Sequence, residues 1–91
     1  MNELKYYEVT FETSDTDLYT YQDYKVIAKC YIEADDPNII TDNPKVALGT
    51  LGYPEKISIE PIQFQDIPDN AKVRTICANT HTITVRINDN H

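Results

Sequence analysis

The chain has 91 residues, of which 41% are apolar and 25% charged, and its 15 acidic and 8 basic residues give a net charge of −7. This length fits one domain over residues 1–91, the composition excludes a collagen-like fibre, and no apolar run reaches the roughly 18 residues of a membrane helix. The N-terminal residues show no apolar signal segment, so we expect a cytoplasmic protein that binds no membrane. Because negative charge repels phosphate backbones, we expect no direct nucleic-acid binding and, instead, a protein partner with a basic surface.

The residue types favour strands, since 26 of the 91 residues are the β-branched Ile, Val and Thr. The first strand is predicted over residues 4–13, where polar and apolar side chains alternate and Tyr7, Val9 and Phe11 share one face. That alternation is typical of a strand with one face on a core and the other face in water.

A second, longer strand is predicted over residues 18–34, where every second residue from Tyr24 onward is apolar or small. If residues 14–17 form the turn, the two strands make a hairpin in which Tyr7 faces Tyr24 and both apolar sets lie on one side of the sheet. A mobile loop over residues 14–23, with pairing only after it, is the alternative.

One short helix is predicted over about residues 44–51. It follows a loop over residues 35–43, and Asn43 before Pro44 is a typical helix start, with the amide as cap and the proline in the first turn. Gly52 is expected to close the helix. A helix of two turns is not stable alone in water, so we expect it to pack on one face of a sheet.

Three more strands complete the chain, and they are predicted over residues 56–65, 72–78 and 82–88. In the first of them the apolar face changes side near Pro61, which cannot donate to a ladder, so we expect a bulge or a sheet edge there. The last two form a hairpin with a three-residue turn over 79–81, which pairs Cys77 with Ile83 and gathers one apolar face. Residues 89–91 are predicted to be a frayed tail.

Together these elements predict an α+β fold, with one antiparallel sheet, elements in the order β-β-α-β-β-β, and the helix on one face. An all-β barrel or sandwich is the alternative, because the single helix is short. The two cysteines, Cys30 and Cys77, fall in predicted strands and are expected to be reduced, buried thiols. The sequence leaves open whether they pair.

No motif for catalysis, metal binding or nucleotide binding is found. Cys77 and His81 lack the second close pair of ligands that zinc sites show, and the turn aspartates lack the glycine and distal glutamate of an EF-hand. Two glycines cannot build a phosphate-binding loop or a nucleophile elbow. We therefore predict no catalytic residue, no metal, no cofactor and a protein that is not an enzyme.

The two arginines suggest a second kind of site. In the predicted hairpin Arg74 and Arg86 are direct cross-strand neighbours on the outward face, where like charges destabilise a sheet unless something neutralises them. A carboxylate of the same chain, such as Glu60 or Glu8, is one neutralising group. The alternative is an anion-binding site, and its residues would be Arg74, Arg86, Thr82 and Thr84. Such a site would make the chain a small anionic-ligand binder or sponge.

The aromatic residues are mostly tyrosine: the chain has seven tyrosines and no tryptophan. Tyrosine gives a large contact area at low entropic cost, and acid-flanked tyrosines suit a basic protein surface. The predicted protein interface consists of Asp17, Tyr19, Tyr21, Asp23 and Tyr31. The structural interpretation of the same residues is that they cover the open end of a small core.

We therefore expect a small, acidic, non-enzymatic binding protein. Asn, Ile, Lys and Tyr make up 31 residues against two Arg, a bias associated with AT-rich genomes such as those of phages. The interpretation thus extends to a phage or mobile-element inhibitor that engages a basic surface of a host protein. A homodimer through an exposed strand edge or sheet face is expected as well, and a structural subunit of a larger assembly is the alternative function.

Overall fold

The computed structural model describes residues 3–80 and 82–89, so residues 90 and 91 of the predicted tail lie outside it. Its elements, in chain order, are β1 (Lys5–Thr16), β2 (Asp23–Ala34), α1 (Asn38–Asp42), α2 (Pro44–Leu48), β3 (Glu55–Ile62), a 3₁₀ turn (Phe64–Asp66), β4 (Lys72–Cys77) and β5 (Thr82–Ile87). The five strands form one open sheet in the order β3-β1-β2-β4-β5. Within the described ranges no helix is long and apolar enough to cross a membrane.

The predicted α+β class, with one open sheet and little helix, is confirmed, but a purely antiparallel sheet is wrong. β2 and β4 run parallel, with Tyr31 beside Val73 and Ala34 beside Ile76. Parallel neighbours need a crossover connection, and here that connection includes both helices, β3 and the 3₁₀ turn. The helices pack on one side of the sheet, called the helix face, and residues 63–71 cross the other side, called the crossover face.

The long hairpin of β1 and β2 has a different register from the predicted one. Tyr7 pairs with Ile32 rather than with Tyr24, because the connecting loop spans residues 17–22 instead of 14–17. The shift between the two registers is an even number of residues, so every side chain keeps its predicted face. The alternative of a long loop with later pairing is therefore closer to the structure.

Two short helices replace the single predicted helix over about 44–51. α1 forms within residues 35–43, which the sequence predicts as a loop, and α2 ends at Gly49 rather than at Gly52. Gly49 has a φ of 68°, in the left-handed region that glycine adopts without strain, and this conformation ends the helix. Asn43 occupies the cap position of α2, as predicted, but makes no side-chain cap hydrogen bond.

The main core lies between the helices and the helix face of the sheet. Its buried side chains are Tyr7, Val9, Phe11, Ile32, Ala34, Ile40, Ala47, Leu48 and Ile76. These residues come from β1, β2, β4 and the two helices, and none comes from β5. The apolar side chains that β5 presents on the same face are therefore left exposed.

The C-terminal hairpin differs from the prediction by one residue. Cys77 pairs with Thr82 rather than with Ile83, so the turn between the strands spans the four residues 78–81, of which His81 lies outside the described ranges. A shift of one residue places each side chain of β5 on the face opposite to the predicted one, relative to β4.

A second, smaller core on the crossover face explains this register. Val73 and Ile67 are fully buried there, and the rings of Tyr6 and Phe64 pack with their centroids 5.5 Å apart. Asn88 is also buried, and its side-chain amide donates to two carbonyl oxygens of the crossover segment at 3.2 Å. β4 is thus apolar on both faces, so a register chosen to gather its apolar residues on one face is wrong.

β3 is an edge strand, as Pro61 predicts. The irregularity in its pairing with β1 does not lie at this proline, however. The register shifts between Ser58 and Glu55, and the intervening Lys56 has a φ of 52°, in the left-handed region. The bulge therefore lies at the beginning of the strand, and the pairing with β1 continues in register through Pro61 to Ile62.

Candidate protein-binding arm

The β1–β2 hairpin extends past the rest of the sheet. β3 pairs with β1 as far as Glu12, and β4 pairs with β2 from Tyr31 onward. Residues 13–26, named here the arm, therefore form a two-stranded projection with the loop 17–22 at its end. The four residues of each strand reach about 13 Å beyond their neighbours. The molecule is accordingly elongated, with a longest dimension of 48 Å.

The loop at the end of the arm is held by its own hydrogen bonds. The Asp17 N–H donates to the carbonyl of Gln22 at 2.9 Å, and the Tyr21 N–H donates to the carbonyl of Asp17 at 2.7 Å. The Asp17 carboxylate accepts from the N–H groups of Tyr19 at 2.8 Å and Thr20 at 3.2 Å. An isolated two-stranded hairpin is only marginally stable, so this bonding supplies the local order that neighbouring strands do not.

Large apolar side chains are exposed at the end of the arm. Leu18, Tyr19 and Tyr21 are 80%, 95% and 82% exposed, so no described segment of the chain covers them. Tyr24 and Val26, on the helix face of the arm, are about half exposed as well. Exposed apolar side chains grouped in this way are a common feature of protein-binding surfaces.

The charge at the end of the arm has a single sign. Residues 13–24 contain Asp15, Asp17 and Asp23 and no Lys or Arg, and these carboxylates form no ion pair in the described part of the chain. Asp23 accepts a hydrogen bond from a threonine hydroxyl of the facing strand at 2.7 Å, and Asp15 accepts one from the Tyr24 phenol at 3.3 Å. The charge of Asp15 raises the pKa of Tyr24.

The structure brings together four of the five predicted interface residues, and these are Asp17, Tyr19, Tyr21 and Asp23. Tyr31 does not join them, because it lies on the crossover face, about 26 Å further along β2. It is partly buried, and burial together with the Glu8 carboxylate raises its pKa. The sequence prediction missed Leu18, whose only signal is that it is an apolar residue inside a polar turn.

The two arginines do not form the predicted anion site, because the observed register puts them on opposite faces of the sheet. Arg74 pairs with Val85 on the helix face, and its guanidinium donates to a carbonyl of α2 at 3.3 Å. Arg86 lies on the crossover face, with Thr82 and Thr84. Two guanidinium groups on opposite sides of one sheet cannot bind the same small anion.

Arg86 is instead neutralised within the chain. Its Nη2 lies 3.7 Å from Oε1 of Glu33 and donates to the Tyr6 hydroxyl at 3.2 Å. The Thr75 hydroxyl donates to the same oxygen of Glu33 at 2.9 Å. Burial, and then the Glu33 carboxylate, raise the pKa of Tyr6. This cluster joins four strands, and the neutralising carboxylate is that of Glu33 rather than the suggested Glu60 or Glu8.

The other candidate sites offer little to a ligand. An apolar groove between the helices and the C-terminal hairpin has a volume of about 210 Å³, below the range of about 300–1,000 Å³ typical of small-molecule pockets. In residues 3–80 and 82–89, no three His, Cys, Asp or Glu side chains are grouped to hold a metal ion. Cys30 and Cys77 are free thiols, and burial raises the pKa of Cys30 to about 11, whereas a nucleophilic cysteine has a lowered pKa.

Comparison of the chain with protein-family models, with curated protein sequences and with solved structures gives no match in any of the three. The functional argument therefore depends on the chain itself. Within the described ranges the end of the arm, residues 13–24, combines exposure, an ordered loop and one sign of charge, whereas the Arg86 cluster contributes to the fold.

Proposed function

We propose that this chain is a non-enzymatic protein-binding protein whose arm enters a recess on the basic surface of a partner. The observation that carries this proposal is the exposure of Leu18, Tyr19 and Tyr21 at the end of a projection. A hairpin that stands out from its sheet can reach into a cleft, and aromatic side chains desolvated in such a cleft dominate the energy of protein interfaces.

The ordered loop supports binding by this surface. Its backbone hydrogen bonds and the Asx turn of Asp17 hold residues 17–22 in one arrangement before any partner arrives, so less conformational freedom is lost on association. Tyrosine contributes in the same direction, because its large side chain has only two rotatable bonds.

The carboxylates of Asp15, Asp17 and Asp23 determine the charge of the partner. They attract Lys and Arg side chains around the recess, and the net charge of −7 adds a long-range component of the same sign. These charges speed association more than they tighten the final complex, and salt screens them over about 8 Å at physiological ionic strength.

The first experiment selects partners by their chemistry. A random peptide display library is panned against the full chain, with a Tyr19→Ala/Tyr21→Ala variant used for counter-selection. We expect the enriched peptides to combine Lys or Arg with apolar residues, and to bind less well as salt rises. Enrichment of neutral or acidic peptides, or equal recovery on the double variant, would refute the proposal.

A kinetic comparison then separates the two contributions, with one selected peptide as the probe. Tyr21→Ala should weaken binding by about 30-fold, mostly through faster dissociation. Asp15→Asn should mainly slow association, and the difference should shrink at high salt. Tyr53→Ala is the matched control, because Tyr53 is 77% exposed but lies outside the arm. If all three variants bind like the wild type, the arm is only a solvated surface.

A basic recess is also what many nucleic-acid enzymes present to their substrates. An arm that occupies such a recess would exclude the phosphate backbone without touching nucleic acid itself. On this ground we extend the proposal to an inhibitor, such as a phage or mobile element would encode against a host enzyme. Duplex DNA should then compete with the chain for a purified partner. If the partner binds both at the same time, the chain is not an inhibitor of this kind.

A further inference from the structure

The two edges of the sheet are protected to different degrees. An exposed strand edge presents unpaired N–H and C=O groups, and proteins usually block it with proline, bulges or charge. β3 carries all three devices: Pro61 lacks an N–H group, the register shifts around Lys56, and Glu55 and Glu60 flank these positions. Addition of another strand to this edge is therefore disfavoured.

The edge formed by β5 has neither proline nor bulge, and its one charged residue, Arg86, is paired with Glu33 of the same chain. Five of its six residues are β-branched, it has no proline and no register shift, and no described segment lies beyond it. On the helix face Ile83, Val85 and Ile87 are 37%, 52% and 56% exposed. On the crossover face the strand presents polar side chains only.

We propose that β5 pairs antiparallel with β5 of a second copy of this chain, which joins the two sheets into one of ten strands. The alternation of β5 is self-complementary, because a two-fold axis through Val85 places it against the second copy's Val85. The same axis places Ile83 against the second copy's Ile87, and Thr84 against the second copy's Arg86. Apolar residues then meet apolar residues on one face, and polar residues meet polar residues on the other.

Charge favours a second copy at this edge rather than elsewhere on the molecule. Two chains of net charge −7 repel each other, but β5 contains no Asp or Glu, so the acidic surfaces stay apart when these strands meet. The single charge of the strand, Arg86, is already neutralised by Glu33 within its own chain. Because six residues span only about 20 Å, the interface is small and the dimer weak.

Sedimentation equilibrium from about 10 µM to about 1 mM tests this dimer, with two matched variants. Thr84→Lys adds a positive charge on β5, directly opposite the second copy's Arg86 in the proposed pairing. Ser58→Lys adds the same charge on β3, and both sites are exposed and pair with a threonine of the neighbouring strand. We expect Thr84→Lys to raise the dimer dissociation constant at least about tenfold and Ser58→Lys to change it less than about twofold.

Hydrogen exchange of the wild-type chain gives a second measurement that needs no variant. At a concentration where about 90% of the chain is paired, exchange of the outward amides of β5 should slow about tenfold relative to dilute protein, and exchange in β3 should not. A monomer throughout the concentration range would overturn the proposal. So would equal effects of the two lysine variants, or slowing confined to the arm.

Discussion

Asn88 is the one polar side chain that is completely buried in the described part of the chain. Its amide donates to the carbonyls of Ile67 and Pro68, both at 3.2 Å, and thereby fixes the segment that crosses the sheet. Asn88→Ala removes both hydrogen bonds and leaves a buried carbonyl without this donor. At about 1 kcal/mol for each bond, and more for an unsatisfied buried group, the variant should lose about 2–4 kcal/mol of unfolding free energy.

Urea unfolding followed by circular dichroism measures this loss, and a melting temperature lowered by about 10–20 °C should accompany it. Asn88→Asp distinguishes the lost bonds from the lost volume, because it keeps the shape but removes the donor, and it should lose at least as much. Asn79→Ala, at an exposed position, serves as control and should change the free energy by less than about 0.5 kcal/mol. If Asn88→Ala behaves like this control, the assigned role of the amide is wrong.

Three further predictions concern the fold. Gly49→Ala should destabilise by about 1–2 kcal/mol, because φ is 68° and the added Cβ would lie 2.8 Å from Nη1 of Arg74; removing the guanidinium with Arg74→Ala should recover part of this loss in urea unfolding. Cys30, with a pKa of about 11 against an ordinary value of 9.0, should be alkylated at pH 7 about 100-fold more slowly than a free thiol, and peptide mass spectrometry that finds equal rates would contradict this. Glu33→Gln leaves Arg86 without its carboxylate and should lower stability by about 1 kcal/mol, less at high salt; a salt-independent loss would argue against the ion pair.

The approximate positions of the strands, and the buried faces of β1 and β2, could be predicted from the sequence, because side-chain alternation reports on which face is buried. The register could not. For the hairpin of β1 and β2, the predicted pairing of Tyr7 with Tyr24 and the observed pairing with Ile32 bury the same faces, so hydrophobic pattern does not separate them. The length of the polar loop decides, and its Asx turn extends it past residues 14–17.

The register of the C-terminal hairpin failed for a different reason. Gathering apolar residues on one face is a sound rule for a strand with one wet side, but Val73 and Ile76 are both buried on opposite faces of β4. On the crossover face, β4 is covered by residues 63–71 and packs beside β2, and the sequence pattern of the hairpin does not report these contacts. The same error placed Arg74 next to Arg86 and created the anion site that the structure does not contain.

The arm was predictable in composition but not in shape. The acids and tyrosines of residues 17–23 stand out in the sequence, and the structure places them at one end of the molecule. Their projection beyond the sheet follows from where β3 and β4 stop pairing, at Glu12 and Tyr31, and no local pattern reports this. Tyr31 is a tyrosine like those of the cluster, but it lies far from them along β2.

The short parallel ladder between β2 and β4 also bears on how the chain reaches its native state. Its partners, such as Tyr31 and Val73, are separated by more than forty positions along the chain, whereas each of the two hairpins closes over a loop of a few residues. The entropy lost on closing a loop rises with its length, so both hairpins can nucleate early while this ladder waits for the intervening segment to condense. Together with the β1–β3 ladder, whose partners are also distant in sequence, these four residue pairs are expected to form after the hairpins and to limit the folding rate.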